Sequence, residues 1–413
     1  MFSNGYFHLK VLSRRPWIRV ALFCFAAVVA ALAASALGPF IPSSIASSIG
    51  SEAVDQILSI LATSMLPVAT FSLSTMVQAY GSATSNVTPR AVPLLLQDTR
   101  AQTALASFIG AFLYSVVGLI ALKTDYYGQQ GRVVVFAVTL VVMVLVVATL
   151  IRWIDTLSEL GRVGTTIDLI EAAAGEALKR RAEMPYLGGR PWRPAPAGSE
   201  GVASRETGYV QHVDTRSLDA WAEKKGVEIH LAVVPGSFVH GGCPIAEVTG
   251  SLDEDDHAIV RRAFVVGDRR VYENDPRFGI IALSEVASRA LSPAVNDPGT
   301  AIDVIGTLVR VLEIWATRDR SIAEEPDFPR LYVLGLTVED LFEDGFTPIA
   351  RDGAGLVEVG IRLQKALAAL GRIGGPDFAP TAERHASLAI KRAQASGMIS
   401  EDVEAITAAA GRS

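Results

Sequence analysis

Charge is scarce where the chain begins. Long stretches before Arg152 carry none, and from Gln56 to Pro89 there is no charged side chain at all. A soluble core has no use for such runs, whereas the hydrocarbon of a bilayer requires them. Cysteine is nearly absent. Cys24 sits in a hydrophobic run and Cys243 far away in a polar region, so a disulfide between them is excluded and both read as small hydrophobes. No polybasic tract exists and the formal net charge is −6, which sets nucleic acid aside as a partner. Nucleophile–base pairs, metal motifs and phosphate loops are missing too, so the sequence offers no catalytic residue, cofactor or metal, and an enzyme is not expected.

What is there is apolar: hydrophobic residues make up 50% of the 413 positions. Four runs have the ~20-residue length that a helix needs to cross a membrane. They cover about 20–41, 57–77, 103–122 and 133–151. The expected fold is therefore an α-helical membrane domain of four transmembrane helices (1–154), followed by an α+β cytosolic domain. In that second part the pattern suggests a helical stalk at 155–183 and a Pro/Gly-rich linker at 184–206. A small β subdomain, barrel or sandwich, would occupy 207–250, and a mainly helical part 251–413.

Arginine and lysine near the span ends set the expected orientation. Lys10, Arg14, Arg15 and Arg19 precede the first run, and none lies between the first and second. Arg90 and Arg100 lie between the second and third, and Arg152, Arg162, Lys179, Arg180 and Arg181 follow the fourth. This places both termini in the cytoplasm of a multi-pass plasma (inner) membrane protein, with Lys123 and Arg132 running against the trend. Arg14-Arg15 with Ala34-Ser35-Ala36 imitates an export signal, but the apolar run has the length of a retained span.

The second run is unusual. Ser59, Thr63, Thr70, Ser74, Gln78 and Ser85 recur at helical spacing, with Pro67 and Gly81 filling the gaps. Facing lipid, such groups gain nothing, so the stripe is expected to face other helices or water. Helix–helix glue and the lining of a pathway are both consistent with it. Pro67 removes a backbone donor, and the Thr63 and Ser64 hydroxyls are placed to compensate. In the third run Ser107, Ala111, Ser115 and Gly118 form a row that permits close helix approach.

In the second half, 208–213 and 227–231 alternate as strands, a helix is expected near 218–225, and another strand at 330–336. Residues 235–248 are similar to half of a lipoyl-type β-barrel, without a lysine at its turn. His212, His230, His240 and Cys243 match no metal spacing and read as surface or core side chains. In 290–301, a helix from about Phe278 ends before Pro293, Asp297 is placed to cap the next helix and Pro298 to open it. Ser292, Asn296, Asp297 and Thr300 are thus candidates either for a tight corner or for a ligand site at a helix start.

Several of these segments together resemble the bacterial predicted membrane protein family called domain of unknown function 2254. They are Ser72-Leu73-Ser74-Thr75 leading to Ser85-Asn86-Val87-Thr88-Pro89-Arg90, then Arg152-Trp153-Ile154-Asp155, Pro235-Gly236-Ser237-Phe238-Val239 and the 290–301 stretch. The resemblance covers nearly the whole chain and implies membrane architecture without a particular activity. The functional expectation is an oligomeric ion channel or transporter in the lipid bilayer, with Ser59, Thr63, Pro67, Thr70, Ser74 and Gln78 lining the path of a small ion. The alternative is a membrane-anchored sensor or scaffold whose cytosolic domain binds a ligand or partner protein.

Overall fold

A computed structural model of the protein describes residues 16–37, 51–159 and 161–411. Lys10, Arg14 and Arg15 lie outside the described residues. The chain divides into two compact units. A helical unit holds the described residues up to Ser85 together with 92–165, and an α/β unit holds Asn86–Ala91 and the chain from Thr166 onward.

The helical unit is built from α1 (Pro16–Leu37), α2 (Ser51–Asn86), α3 (Val92–Leu96), α4 (Thr99–Lys123) and α5 (Gly128–Glu159). Three stretches, Glu52–Ser85, Thr99–Lys123 and Gly128–Glu159, are long and apolar enough to cross a membrane, while the apolar stretch of α1, Ile18–Ala34, is shorter. α4 lies inside the unit, with Ala104, Phe108, Ala111, Ser115 and Gly118 buried. A Cβ at Gly110 would stand 3.4 Å from the carbonyl oxygen of Phe23, so small residues here let α1 come close. Two tyrosines find partners between these helices, where lipid would offer none. The Tyr114 hydroxyl lies 3.1 Å from that of Thr139, and Tyr127 donates to the carbonyl of Ala31 at 2.8 Å.

The helical pattern after the fourth run is not one continuous stalk. α5 ends at Glu159 and α6 (Val163–Glu183) starts anew, with Gly161 between them at φ +79°, a backbone angle glycine adopts without strain. Most of α6 belongs to the α/β unit, where Ile167, Ile170, Ala174 and Leu178 are buried.

The α/β unit has two sheets. The strands are β1 (Arg190–Pro191), β2 (Glu200–Ala203), β3 (Gly208–Val213), β4 (Ile229–Leu231), β5 (Phe238–Val239), β6 (Pro244–Val248), β7 (Phe264–Gly267) and β8 (Leu331–Val333). One sheet has the order β1-β8-β4-β6-β2, parallel at both β8 ladders and antiparallel elsewhere; the other is antiparallel, β5-β3-β7. Two consequences differ from the sequence reading. The Pro/Gly-rich stretch 184–206 contributes two strands to the five-stranded sheet, because a short strand at the edge can lose donors to proline. The lipoyl-like segment 235–248, read as part of one small barrel or sandwich, sends β5 and β6 into two different sheets. Val202, Val210, Leu218, Ile229, Leu231, Ile245, Leu331 and Val333 form the shared core, with α7 (Thr215–Lys225) and α8 (Glu254–Arg262) flanking it.

The rest is helical: α9 (Pro276–Ala290), α10 (Pro298–Ala316), α11 (Val338–Asp352), α12 (Val357–Gly374), α13 (Ala379–Ala395) and α14 (Ser400–Gly411). Phe342, Phe346 and Phe378 meet edge to face at its centre. Asp214, Asp253, Asp275, Asp297 and Thr337 each cap the helix that follows, a use of short oxygen side chains that satisfies first-turn N–H groups.

Candidate functional site

α2 has two faces of opposite character. Val54, Leu58, Leu61, Met65, Ala69, Ser72, Met76, Ala79 and Ala83 are buried against the rest of the helical unit. Thr63, Pro67, Thr70, Ser74, Gln78 and Ser85 are exposed and Ser59 is half-buried. At ~100° per residue the two sets lie on nearly opposite sides of the helix. The structure thus brings the six candidate positions together as one outward stripe, and within a single copy they do not glue α2 to its neighbours.

The hydroxyls of the stripe are locally satisfied. Thr63 donates to the carbonyl of Ser59 at 2.8 Å, and Thr70 to the carbonyls of Leu66 at 3.1 Å and Pro67 at 2.9 Å. Gln78 reaches the Ser74 hydroxyl at 3.5 Å. With the Thr63 and Thr70 protons committed to the helix, their oxygens keep lone pairs free to accept. The helix continues through Pro67. Thr63 and Ser64 bond to carbonyls one turn earlier than the one proline leaves unpaired, so they do not compensate for Pro67 as expected.

The end of α2 leads into a clamp that sequence reasoning missed. Residues 86–91 belong to the α/β unit. There Arg90 forms an ion pair with Glu285 of α9, and Thr88 donates to the same carboxylate at 3.1 Å. The Tyr272 hydroxyl donates to the Arg90 carbonyl at 3.0 Å, and burial pushes that phenol well above its ordinary range. Thr88-Pro89-Arg90 stood out in the sequence, but nothing in it pointed to a partner almost two hundred residues away.

α9 starts at a buried charge cluster. Arg270 holds Asp275 through two hydrogen bonds of 2.6 and 2.9 Å, while Asp275 accepts from the Phe278 N–H to cap the helix. Nearby, Arg181 is buried, which pushes its guanidinium down to about 10 against the pull of Asp275. The turn 235–238 closes over this carboxylate: Gly236 has φ +99°, and a Cβ there would come within 2.5 Å of Asp275 Oδ2. The Pro-Gly-Ser-Phe segment is therefore accounted for by packing.

At the 290–301 corner, Asp297 caps α10. It accepts from the Thr300 N–H at 3.1 Å and the Thr300 hydroxyl at 2.6 Å, bonds that hold its carboxyl below the usual range. Ser292 donates to the Arg289 carbonyl at 2.7 Å, and Asn296 takes φ +50° to make the turn. Ser292, Asn296, Asp297 and Thr300 thus come together as a corner on the surface, with Val295 exposed beside them.

The other candidates separate. His230 stacks on Tyr332 and contacts the Arg193 carbonyl at 2.9 Å, His212 lies near Asn274, and His240 is exposed. A different trio, Glu339, Glu343 and His385, brings its oxygen and nitrogen atoms within 4.8 Å of one another. The spacing of the two glutamates on α11 was readable; His385, on α13, was not. Arg384 bonds both Glu339 and His385 Nε2, so a guanidinium already supplies the positive charge there. Burial and Arg384 push His385 down to about 4, which keeps the ring neutral.

Two uncharacterized proteins, from Mycobacterium tuberculosis (strain CDC 1551 / Oshkosh) and Mycobacterium bovis (strain ATCC BAA-935 / AF2122/97), are each similar to this chain at 25% identity over 280 residues, covering 63% of the chain and 52% of the relative. The chain thus spans about half the length of these relatives. No solved structure matches. Residues 13–369 match the family described as predicted membrane protein (DUF2254), and the chain belongs to that family.

Proposed function

We propose that several copies of this chain surround a conduction path for small ions, lined by the outward stripe of α2. The observation that carries the reading is the exposure of Thr63, Pro67, Thr70, Ser74 and Gln78 on the side of α2 away from its buried face. In a bilayer that face meets lipid, water or another copy, and only the last two offer partners to hydroxyl and amide oxygens. Free lone pairs can replace part of an ion's hydration shell without trapping it as a fixed charge would, which favours weak selectivity.

In this reading α1 is a fourth span. Its 22 residues extend ~33 Å at 1.5 Å per residue, against a hydrocarbon core of ~30 Å. The arginine distribution places both termini in the cytoplasm of the inner membrane. The α/β unit is then cytosolic, and its clamp on residues 86–91 ties it to the end of the lining helix, so a cytosolic signal has a route to the pore. Reporter fusions after Pro89 are expected to be cytoplasmic and after Gly128 extracytoplasmic.

The test is ion flux in liposomes containing the purified full chain. Wild type is expected to conduct, and Thr70→Leu with Ser74→Leu to abolish most of the flux. Absence of flux for every common ion would end the channel reading. A membrane-anchored sensor, with the exposed 292–300 corner as its ligand or partner surface, would then take its place.

A further inference from the structure

A cavity of about 460 Å³ lies in the helical unit, lined by the start of α4 and the end of α5. Its walls carry two guanidinium groups, Arg100 and Arg152, and two carboxylates, Asp155 and Glu159. Arg100 and Glu159 are only loosely paired, 3.8 Å apart and both well exposed, so both remain available. Arg19 adds a third guanidinium at the edge, 3.5 Å from the Thr103 hydroxyl. Trp153 also lines the cavity; its side chain is buried, yet its indole Nε1 has no hydrogen-bond partner. A buried donor without an acceptor costs free energy that a ligand oxygen would recover. On the same side of α5, one and two turns before Thr149, Leu145 and Val141 are 60% and 58% exposed, an apolar surface that continues from the cavity.

We infer that this cavity holds the head group of a zwitterionic phospholipid bearing a primary amine, of the phosphatidylethanolamine class. The phosphate, whose two non-bridging oxygens match the forked N–H donors of a guanidinium, suits Arg100, Arg152 and the Trp153 N–H. The ammonium suits Asp155 and Glu159, since it has three N–H donors to share between two carboxylates. A quaternary ammonium has none, and an anionic glycerol head group would leave the carboxylates facing it without a counter-charge. Acyl chains of the same lipid would lie on Leu145 and Val141. The site sits where an apolar helix turns into a charged one, the level at which a bilayer places its head groups.

Native mass spectrometry of the full chain in detergent can test this. The protein is titrated in turn with phosphatidylethanolamine, phosphatidylcholine and phosphatidylglycerol of identical acyl chains, and separately with free phosphoethanolamine. Phosphatidylethanolamine is expected to bind roughly tenfold tighter than the other two lipids, the worth of one or two charge-assisted hydrogen bonds. Arg152→Gln is expected to weaken it by a similar factor, and Arg100→Gln, on the opposite wall, gives the same reading if the first variant fails to fold. Asp155→Asn with Glu159→Gln should reduce its binding to the phosphatidylcholine level. Equal binding of all three lipids, a preference for phosphatidylglycerol, or indifference to these substitutions would overturn the assignment. Free phosphoethanolamine binding as tightly as the lipid would overturn the lipid as its source and leave a soluble zwitterion instead.

Discussion

α2 and α5 both leave most of their surface outside the helical unit, and what they show there differs. α5 presents Val141, Val144, Leu145, Val147 and Ile151, an unbroken aliphatic face suited to lipid. α2 presents Thr63, Pro67, Thr70, Ser74 and Gln78, with Ile60, Phe71 and Val77 beside them. Exposure alone therefore says nothing about what a membrane helix faces; the chemistry of the exposed groups does. A helix whose outward face carries five polar or helix-breaking positions is suited to a neighbour that lipid cannot replace.

Breaking that contrast by making α2 resemble α5 should have the largest effect. Thr70→Leu with Ser74→Leu is expected to reduce liposome flux by roughly tenfold or more, as the loss of ~1.4 kcal/mol of ion stabilisation implies. The same logic of buried against exposed polar groups applies to two caps in the α/β unit. Asp275→Ala leaves Arg181 and Arg270 without their shared carboxylate in a buried place, and thermal melts should register a loss of ~3–5 kcal/mol. Asp297→Ala, at an exposed corner, should cost ~1 kcal/mol and Asp297→Asn much less, because asparagine caps nearly as well. Equal losses for both Asp297 variants would point to the charge itself and to a ligand there.

Smaller effects sharpen the picture. Glu285→Gln removes a partly exposed ion pair with Arg90 and should lower stability by only about 0.5 kcal/mol. Hydrogen exchange at residues 87–91 should nevertheless rise, and flux should change if the clamp conveys a signal. The smallest effect belongs to Val144→Thr on α5. It gives the aliphatic face one locally satisfied hydroxyl, and flux should match wild type within error. A flux loss equal to that of the α2 variants would show that both outward faces matter alike.

Much of this was legible beforehand. Helix α9, the corner at Asp297 and helix α10 follow from a proline, a capping carboxylate and apolar spacing, all local. β3 and β8 follow from short alternating or β-branched runs. The strands inside 184–206 were hidden because β1 and β2 acquire their meaning only from β8 and β6, which lie far along the chain. The Thr88–Arg90–Glu285 clamp was hidden for the same reason, and the cavity at Arg100 and Arg152 because it joins opposite ends of two consecutive helices. Gly161, which breaks the expected stalk, sat among apolar residues at helical spacing, and that spacing outweighed one glycine.

By itself the sequence determined that this protein has a membrane part, that the helices now numbered α2, α4 and α5 are apolar enough to cross it, and that α2 carries a polar stripe. Those are one-dimensional properties: run length, charge distribution and a period near 3.6. Only the tertiary structure decided which way the stripe faces, because a periodicity marks a face without saying what lies against it. Packing of Leu58, Met65, Ala69 and Met76 into the helical unit turned that face outward. Packing likewise buried Asp275 with its arginines and left Asp297, its counterpart one helix later, in the open.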